Sequence, residues 1–115
     1  MSPYIAPGLG LELRLDESVI INLINKEFGF IGTEWIKQKY GRREYSVARQ
    51  LLMVCTGEFL GYTYRRSAEM CDQNFTNAFH SKTTILDTYW YDREYMDRVR
   101  HVYNRCKEIV RGLGK

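Results

Sequence analysis

Apolar residues recur at helical spacing through most of this chain, and no stretch sustains the strict alternation of a strand. Val19, Ile20, Leu23, Ile24 and Phe28 form a first stripe behind Asp16-Glu17-Ser18, a group of caps and acids suited to a helix start, and Gly29 stops it. Thr33-Glu34-Trp35-Ile36 predicts a short second helix with Thr33 as N-cap and Gly41 as its end. A third helix is expected from about Ser46 to Leu60, with Val47, Leu51, Val54, Cys55 and Phe59 on one face and Gly61 closing it. Thr63 caps a fourth helix through Met70 and Cys71. After the polar stretch Asp72-Gln73-Asn74, the segment Phe75 to Phe79 either finishes that helix or forms a turn of its own. Ser81 is the expected cap of a helix containing Thr83, Thr84, Ile85 and Leu86. The last helix has the clearest stripe: Met96, Val99, Val102, Tyr103, Cys106, Ile109, Val110 and Leu113, ended by Gly112 and Gly114. The expected fold class is all-α, a multi-helix bundle with a long C-terminal helix.

Size adds one constraint to this pattern: 115 residues, 44% of them hydrophobic, make one ordinary domain with a core of its own. Residues 1–15, with Pro3, Pro7, Gly8 and Gly10 and no helical period, are expected to be a flexible N-terminal arm ahead of a single domain at 16–115. Cys55, Cys71 and Cys106 are odd in number and lack any C-x-x-C pair, so neither a disulfide nor a thiolate metal site is expected. They fit small core positions in a reducing compartment. No apolar run approaches the ~18 residues of a membrane span, and the N-terminus has no signal-peptide pattern. The expected location is the cytoplasm, without a membrane partner.

The net charge is only +3, but it is unevenly placed. Between residues 33 and 66 the bases Lys37, Lys39, Arg42, Arg43, Arg49, Arg65 and Arg66 face only Glu34, Glu44 and Glu58. Such an excess suits a polyanion, because each base that meets a phosphate releases condensed counterion. A solvated surface with chance clustering is the plainer explanation of the same charge. Catalysis is not expected: His80 and His101 are the only histidines, and neither has the spacing of a metal pair or a nucleophile site. No cofactor and no small-molecule substrate are expected either. Tyr89, Trp90, Tyr91 and Tyr95 have the chemistry to stack bases, but a cluster between two amphipathic helices fits the core better.

What the order of elements offers is a helix, a short turn and a helix, preceded by a basic loop. In a helix-turn-helix protein the second helix enters the major groove with its first turn against base edges, while flanking segments grip phosphate. His80-Ser81-Lys82-Thr83-Thr84 would then be the reading turn. Lys82 can donate to guanine, and a threonine offers a hydroxyl and a methyl suited to thymine.

In these motifs the chain resembles the C-terminal DNA-binding domain of the bacterial replication initiator DnaA, over about Val19 to Leu113. That family has a basic loop before a helix beginning Pro-Arg-Gln, matched by Ala48-Arg49-Gln50 after Arg42 and Arg43. Its Ser-Leu-Pro opens the scaffold helix, matched by Thr63-Tyr64-Arg65, and its recognition helix has Asp-His-Thr-Thr-Val-Leu, matched by Ser81-Lys82-Thr83-Thr84-Ile85-Leu86. The resemblance implies a helix-turn-helix domain with loop arginines in the minor groove, Arg49, Gln50, Thr63 and Thr84 near phosphate, and Lys82 and Thr83 facing bases. The departures are specific. About six more residues separate Arg-Gln from Thr-Thr here, Asp87 replaces a histidine, and Gly41 falls where a groove-reading arginine belongs, leaving Arg42 or Arg43 as substitutes. There is also no G-x-x-x-x-G-K phosphate loop, so the chain alone is not expected to be an initiator.

Together these features predict a bacterial double-stranded-DNA-binding protein of replication or transcription regulation, expected to be sequence-selective. Arg42 and Arg43 would anchor in the minor groove, Arg49, Gln50, Thr63 and Arg65 on the backbone, and Ser81, Lys82 and Thr83 on base edges, with Lys39, Arg66 and Thr84 as further DNA-binding candidates. A homodimer is left open. The competing function is a protein-interaction module that kept the helical scaffold and lost DNA affinity. One continuous positive face would favour DNA, and scattered charge with an exposed apolar patch would favour a protein partner.

Overall fold

A computed structural model of the chain describes residues 14–38 and 42–113, and among these the regular structure is helical, with no strand. The expected arm at residues 1–15 lies outside the described residues except for Arg14 and Leu15. Leu15 is buried, so the core already begins there. Helix α1 (Glu17–Phe28) starts where the Asp16 carboxylate accepts the Val19 N–H at 2.9 Å and the Ser18 hydroxyl at 2.7 Å. A helix start leaves such N–H groups without partners, and the cap supplies one. Partial burial pushes the Asp16 pKa up, but these hydrogen bonds outweigh it and hold the pKa below its ordinary value. Gly29 ends α1 at φ 73°, a conformation that favours glycine.

Glu34–Ile36 is a single 3-10 turn rather than the expected short α-helix, and Thr33 makes no side-chain cap bond. Its expected end, Gly41, lies outside the described residues. The buried Trp35 explains the difference. Its Nε1 donates to Asn25 Oδ1 at 2.7 Å and Asn25 Nδ2 donates to the Gly32 carbonyl at 2.9 Å, so the segment is tied to α1.

Helix α2 (Arg43–Leu60) starts a little before the expected Ser46 and ends at Gly61, φ 74°. Every residue from Leu51 to Thr56 is buried, because α1, α3, α4 and α5 all pack on α2. The one hydroxyl in that run, Thr56 Oγ1, bonds the Leu52 carbonyl at 2.9 Å and lies 2.9 Å from Ser67 Oγ on the next helix. A buried polar pair is thereby satisfied across the α2–α3 contact.

Helix α3 (Tyr64–Met70) has the expected cap, with the Arg66 N–H donating to Thr63 Oγ1 at 3.1 Å. Residues 71–74 form the turn that follows. Asp72 takes φ 53°, and the Gln73 N–H returns to the Ala68 carbonyl at 2.9 Å.

The next element corrects the expectation. Helix α4 (Phe75–Thr83) is capped by Asn74, whose Oδ1 accepts the Asn77 N–H at 3.2 Å; Ser81 is not a cap but a buried residue in the last turns. Its hydroxyl donates to the Asn77 carbonyl at 2.6 Å, one turn back along the helix. The segment 75–79 is therefore neither the end of α3 nor an isolated turn. A π turn at Thr84–Thr88 and a 3-10 turn at Tyr89–Tyr91 continue α4 directly. Helix α5 (Met96–Leu113) then packs on α1 and α2, burying Val99, Val102, Cys106 and Ile109.

Tyr95 joins the core, and Tyr89 and Trp90 are half-buried, the latter edge-on to Tyr103 at 5.4 Å. Only Tyr91 of that aromatic cluster stands in solvent. All three cysteines are free and buried. Burial pushes the Cys71 thiol up to about 12, and a thiol hydrogen bond with Cys106 together with burial raises Cys55.

Candidate nucleic-acid interface

Helices α3 and α4 are joined by the turn at residues 71–74, and the exposed opening turn of α4 is Asn74, Phe75, Thr76 and Asn77. None of these four is among the residues expected at the site. The helical signal was present in Ala78, Ser81 and Ile85, which face the core at spacings of three and four. It was hidden because those residues are small or polar, while the large apolar Phe75 and Phe79 point outward, 56% and 53% exposed. Phe79 meets Tyr64 of α3 edge-on at 5.4 Å, and Tyr64 is also exposed.

The residues expected on the reading turn are displaced to the other end of the helix. Lys82 and Thr83 are exposed but close α4, and Lys82 Nζ lies 3.9 Å from Glu58 Oε2. Ser81 is buried, and Thr84 lies in the π turn with its hydroxyl donating to the His80 carbonyl at 3.1 Å.

The basic residues divide into three groups. Arg65 and Arg66 are exposed on α3; Arg66 stacks on the Tyr62 ring at 3.8 Å while the Tyr62 hydroxyl donates to Glu17 at 2.8 Å. Arg42 and Arg43 are exposed at the start of α2. Arg42 pairs with Glu44 at 3.1 Å, and Arg43 lies 3.6 Å from Asp92 and over the rings of Tyr89 and Tyr95 at 5.5 and 5.4 Å. Interaction with Tyr89 is the main cause that raises the Arg43 pKa. Arg49 is turned inward, with its Nη1 donating to the carbonyls of Trp35, at 2.9 Å, and of Gln38. Burial lowers its pKa. Lys39 lies outside the described residues.

Two cavities flank α4. One, of about 220 Å³, brings together Arg49, Gln50, Ser81 and Thr84 with Asn77 and His80. The other, of about 430 Å³, brings together Thr63, Tyr64, Glu58 and Lys82. The expected site residues are thus split across both sides of the helix, and Arg42 and Arg43 line neither of these two. Among the described residues no group of three or more His, Cys, Asp or Glu is placed to hold a metal ion, and no helix is long and apolar enough to cross a membrane.

Comparison with protein-family models, curated proteins and solved structures gives no match to this chain.

Proposed function

We propose that the protein binds double-stranded DNA through α3 and α4, with the first turn of α4 as the reading element. The observation that carries this is where α4 begins. Asn74 caps it after a short turn, and an exposed first turn of Phe75, Thr76 and Asn77 follows, free of acidic residues. A helix of this kind fits the major groove, and Thr76 and Asn77 carry the donors, acceptors and methyl that distinguish base pairs there. Arg65 and Arg66, exposed on the preceding helix, suit phosphate.

The same start changes the resemblance to the DnaA C-terminal domain, because aligning the helix starts removes the insertion but gives up the Thr-Thr identity. Once the excess of about six residues before Thr83-Thr84 is removed, the family's Thr-Thr falls at Asn77-Ala78 and its Asp-His at Phe75-Thr76, in the first turn of α4. No insertion is then needed. In this alignment the family's base-facing residues are replaced by Phe75 and Thr76, so the preferred site would differ from that family's. Cytoplasmic location and a role in replication or transcription belong to the same proposal.

A second reading, a protein-interaction module, is favoured by the exposed Tyr64 and Phe79 pair and by the scatter of charge, with Arg49 inward and Arg42 and Lys82 beside carboxylates. Selection of bound sequences from a random duplex pool separates the two. An enriched motif supports DNA reading, and absence of any duplex binding at low salt leaves the interaction module.

A further inference from the structure

Among the described residues the phenylalanine and tyrosine side chains that stand in solvent are Tyr64, Phe75, Phe79 and Tyr91. Three of them have a partner. Tyr64 and Phe79 meet edge-on at 5.4 Å, and the Arg100 guanidinium lies 5.4 Å from the centre of the Tyr91 ring. Phe75, 56% exposed, has neither a ring nor a cation against it among the described residues. Of the side chains on α4 it therefore has the most to gain from an apolar group on a ligand.

Position narrows what that group is. Phe75 is the first residue of α4, and long side chains on a helix lean toward its N-terminus, which here means past the helix end. The turn Phe75-Thr76-Asn77 holds no charged residue, so it lacks the arginine or lysine that best matches the O6 and N7 acceptors of guanine. The Asn77 side-chain NH₂ already donates to Gln73 Oε1. Base edges in the major groove offer one apolar feature, the methyl group on C5 of thymine, and a phenylalanine ring is among the side chains that contact it. Cytosine carries the same group once it is methylated at C5.

We infer, resting on the proposed reading of duplex DNA by the first turn of α4, that Phe75 is a specificity-determining residue whose ring packs on the C5-methyl group of a pyrimidine in the major groove. The methyl group comes from thymine in unmodified DNA or from 5-methylcytosine in methylated DNA.

The test uses the whole chain and the duplex it selects from a random pool, at one fixed salt concentration. In the first arm each thymine in turn is replaced by deoxyuridine, which lacks the methyl group and keeps every hydrogen-bonding group. Wild-type binding should weaken about fourfold at one or two positions, the effect expected of one buried methyl group, and Phe75→Ala should bind the thymine and deoxyuridine duplexes equally. In the second arm each cytosine in turn is methylated at C5, and a gain of about fourfold in wild type that is absent in Phe75→Ala names 5-methylcytosine as the source. Phe75→Leu, which keeps an apolar group, should retain part of whichever dependence is found. Thermal melting checks that the variants are folded, and the wild-type comparisons need no variant. No methyl dependence in either arm, or a dependence that persists in Phe75→Ala, overturns the assignment while duplex binding itself stands. Absence of any duplex binding by the wild type at low salt ends the DNA reading and this role with it, a result distinct from binding without methyl dependence.

Discussion

The guanidinium of Arg49 donates to the Trp35 carbonyl at 2.9 Å, tying α2 to the 3-10 turn that holds the buried Trp35 ring. A charged donor on backbone carbonyls in a partly buried setting is worth about 1–3 kcal/mol, so Arg49→Ala should lower the unfolding free energy by that order. Arg49→Lys should restore part of it, because one nitrogen, Nη1, serves both the Trp35 and Gln38 carbonyls and an ammonium also carries more than one N–H, on a shorter and more flexible stem. Urea unfolding of both variants checks this. An unchanged midpoint would return Arg49 to the backbone-gripping role that its sequence context suggested.

Thr56 and Ser67 offer a second measurement in the core. Their hydroxyls are 2.9 Å apart and both residues are buried, so removing either alone leaves its partner short of a bond. Thr56→Val and Ser67→Ala should each destabilise by about 1–2 kcal/mol, and the double variant by less than their sum. Strict additivity in denaturant melts would show that the pair does not interact.

Much of the fold was legible because large apolar residues faced inward. The stripes of α1, α2 and α5, and the caps at Asp16, Gly29, Gly61 and Thr63, gave the right elements at nearly the right ends. The 3-10 turn at Glu34–Ile36 was misread because tertiary hydrogen bonds from Trp35 and Asn25 overrode a local helix signal. In α4 the code was inverted, with Ala78 and Ser81 inside and Phe75 and Phe79 outside, so the start of the helix was placed too late. That single misplacement moved the candidate reading turn from Thr76 and Asn77 to Lys82 and Thr83. Nor does a sequence show that Arg49 faces backbone carbonyls instead of solvent.

The Asp16 cap makes a pH-dependent contribution. Its pKa is lowered in the folded protein, so the stabilisation is present above the ordinary carboxylate pKa of about 3.9 and is lost as pH falls through the lower folded value. Asp16→Ala should cost about 1 kcal/mol at pH 7 and less below about pH 3. Asp16→Asn, which keeps a capping oxygen without a charge, should lose little at pH 7 and show a flatter profile. Parallel pH profiles for wild type and Asp16→Asn would contradict this.

Phosphate contacts should show in the salt dependence. Binding to any duplex should weaken with a log–log slope of about −0.9 per phosphate neutralised, and Arg65→Ala should reduce that slope by about one contact's worth. Its loss should be the same factor for preferred and random duplexes, because backbone contacts carry no direct sequence information. A loss confined to one sequence would place Arg65 on a base.

Reading by the first turn of α4 is tested most directly by the ratio of preferred to random duplex binding at one fixed salt concentration, in Thr76→Ala and Lys82→Ala proteins. Thr76 is exposed in that turn, while Lys82 lies near the far end of the helix, 3.9 Å from Glu58. Thr76→Ala should lower the ratio by about tenfold, the discrimination typical of a lost base contact, and Lys82→Ala should leave it unchanged. A full ratio in folded Thr76→Ala with a collapsed ratio in Lys82→Ala would move the reading element to the other end of α4, and no duplex binding by the wild type would end the DNA reading.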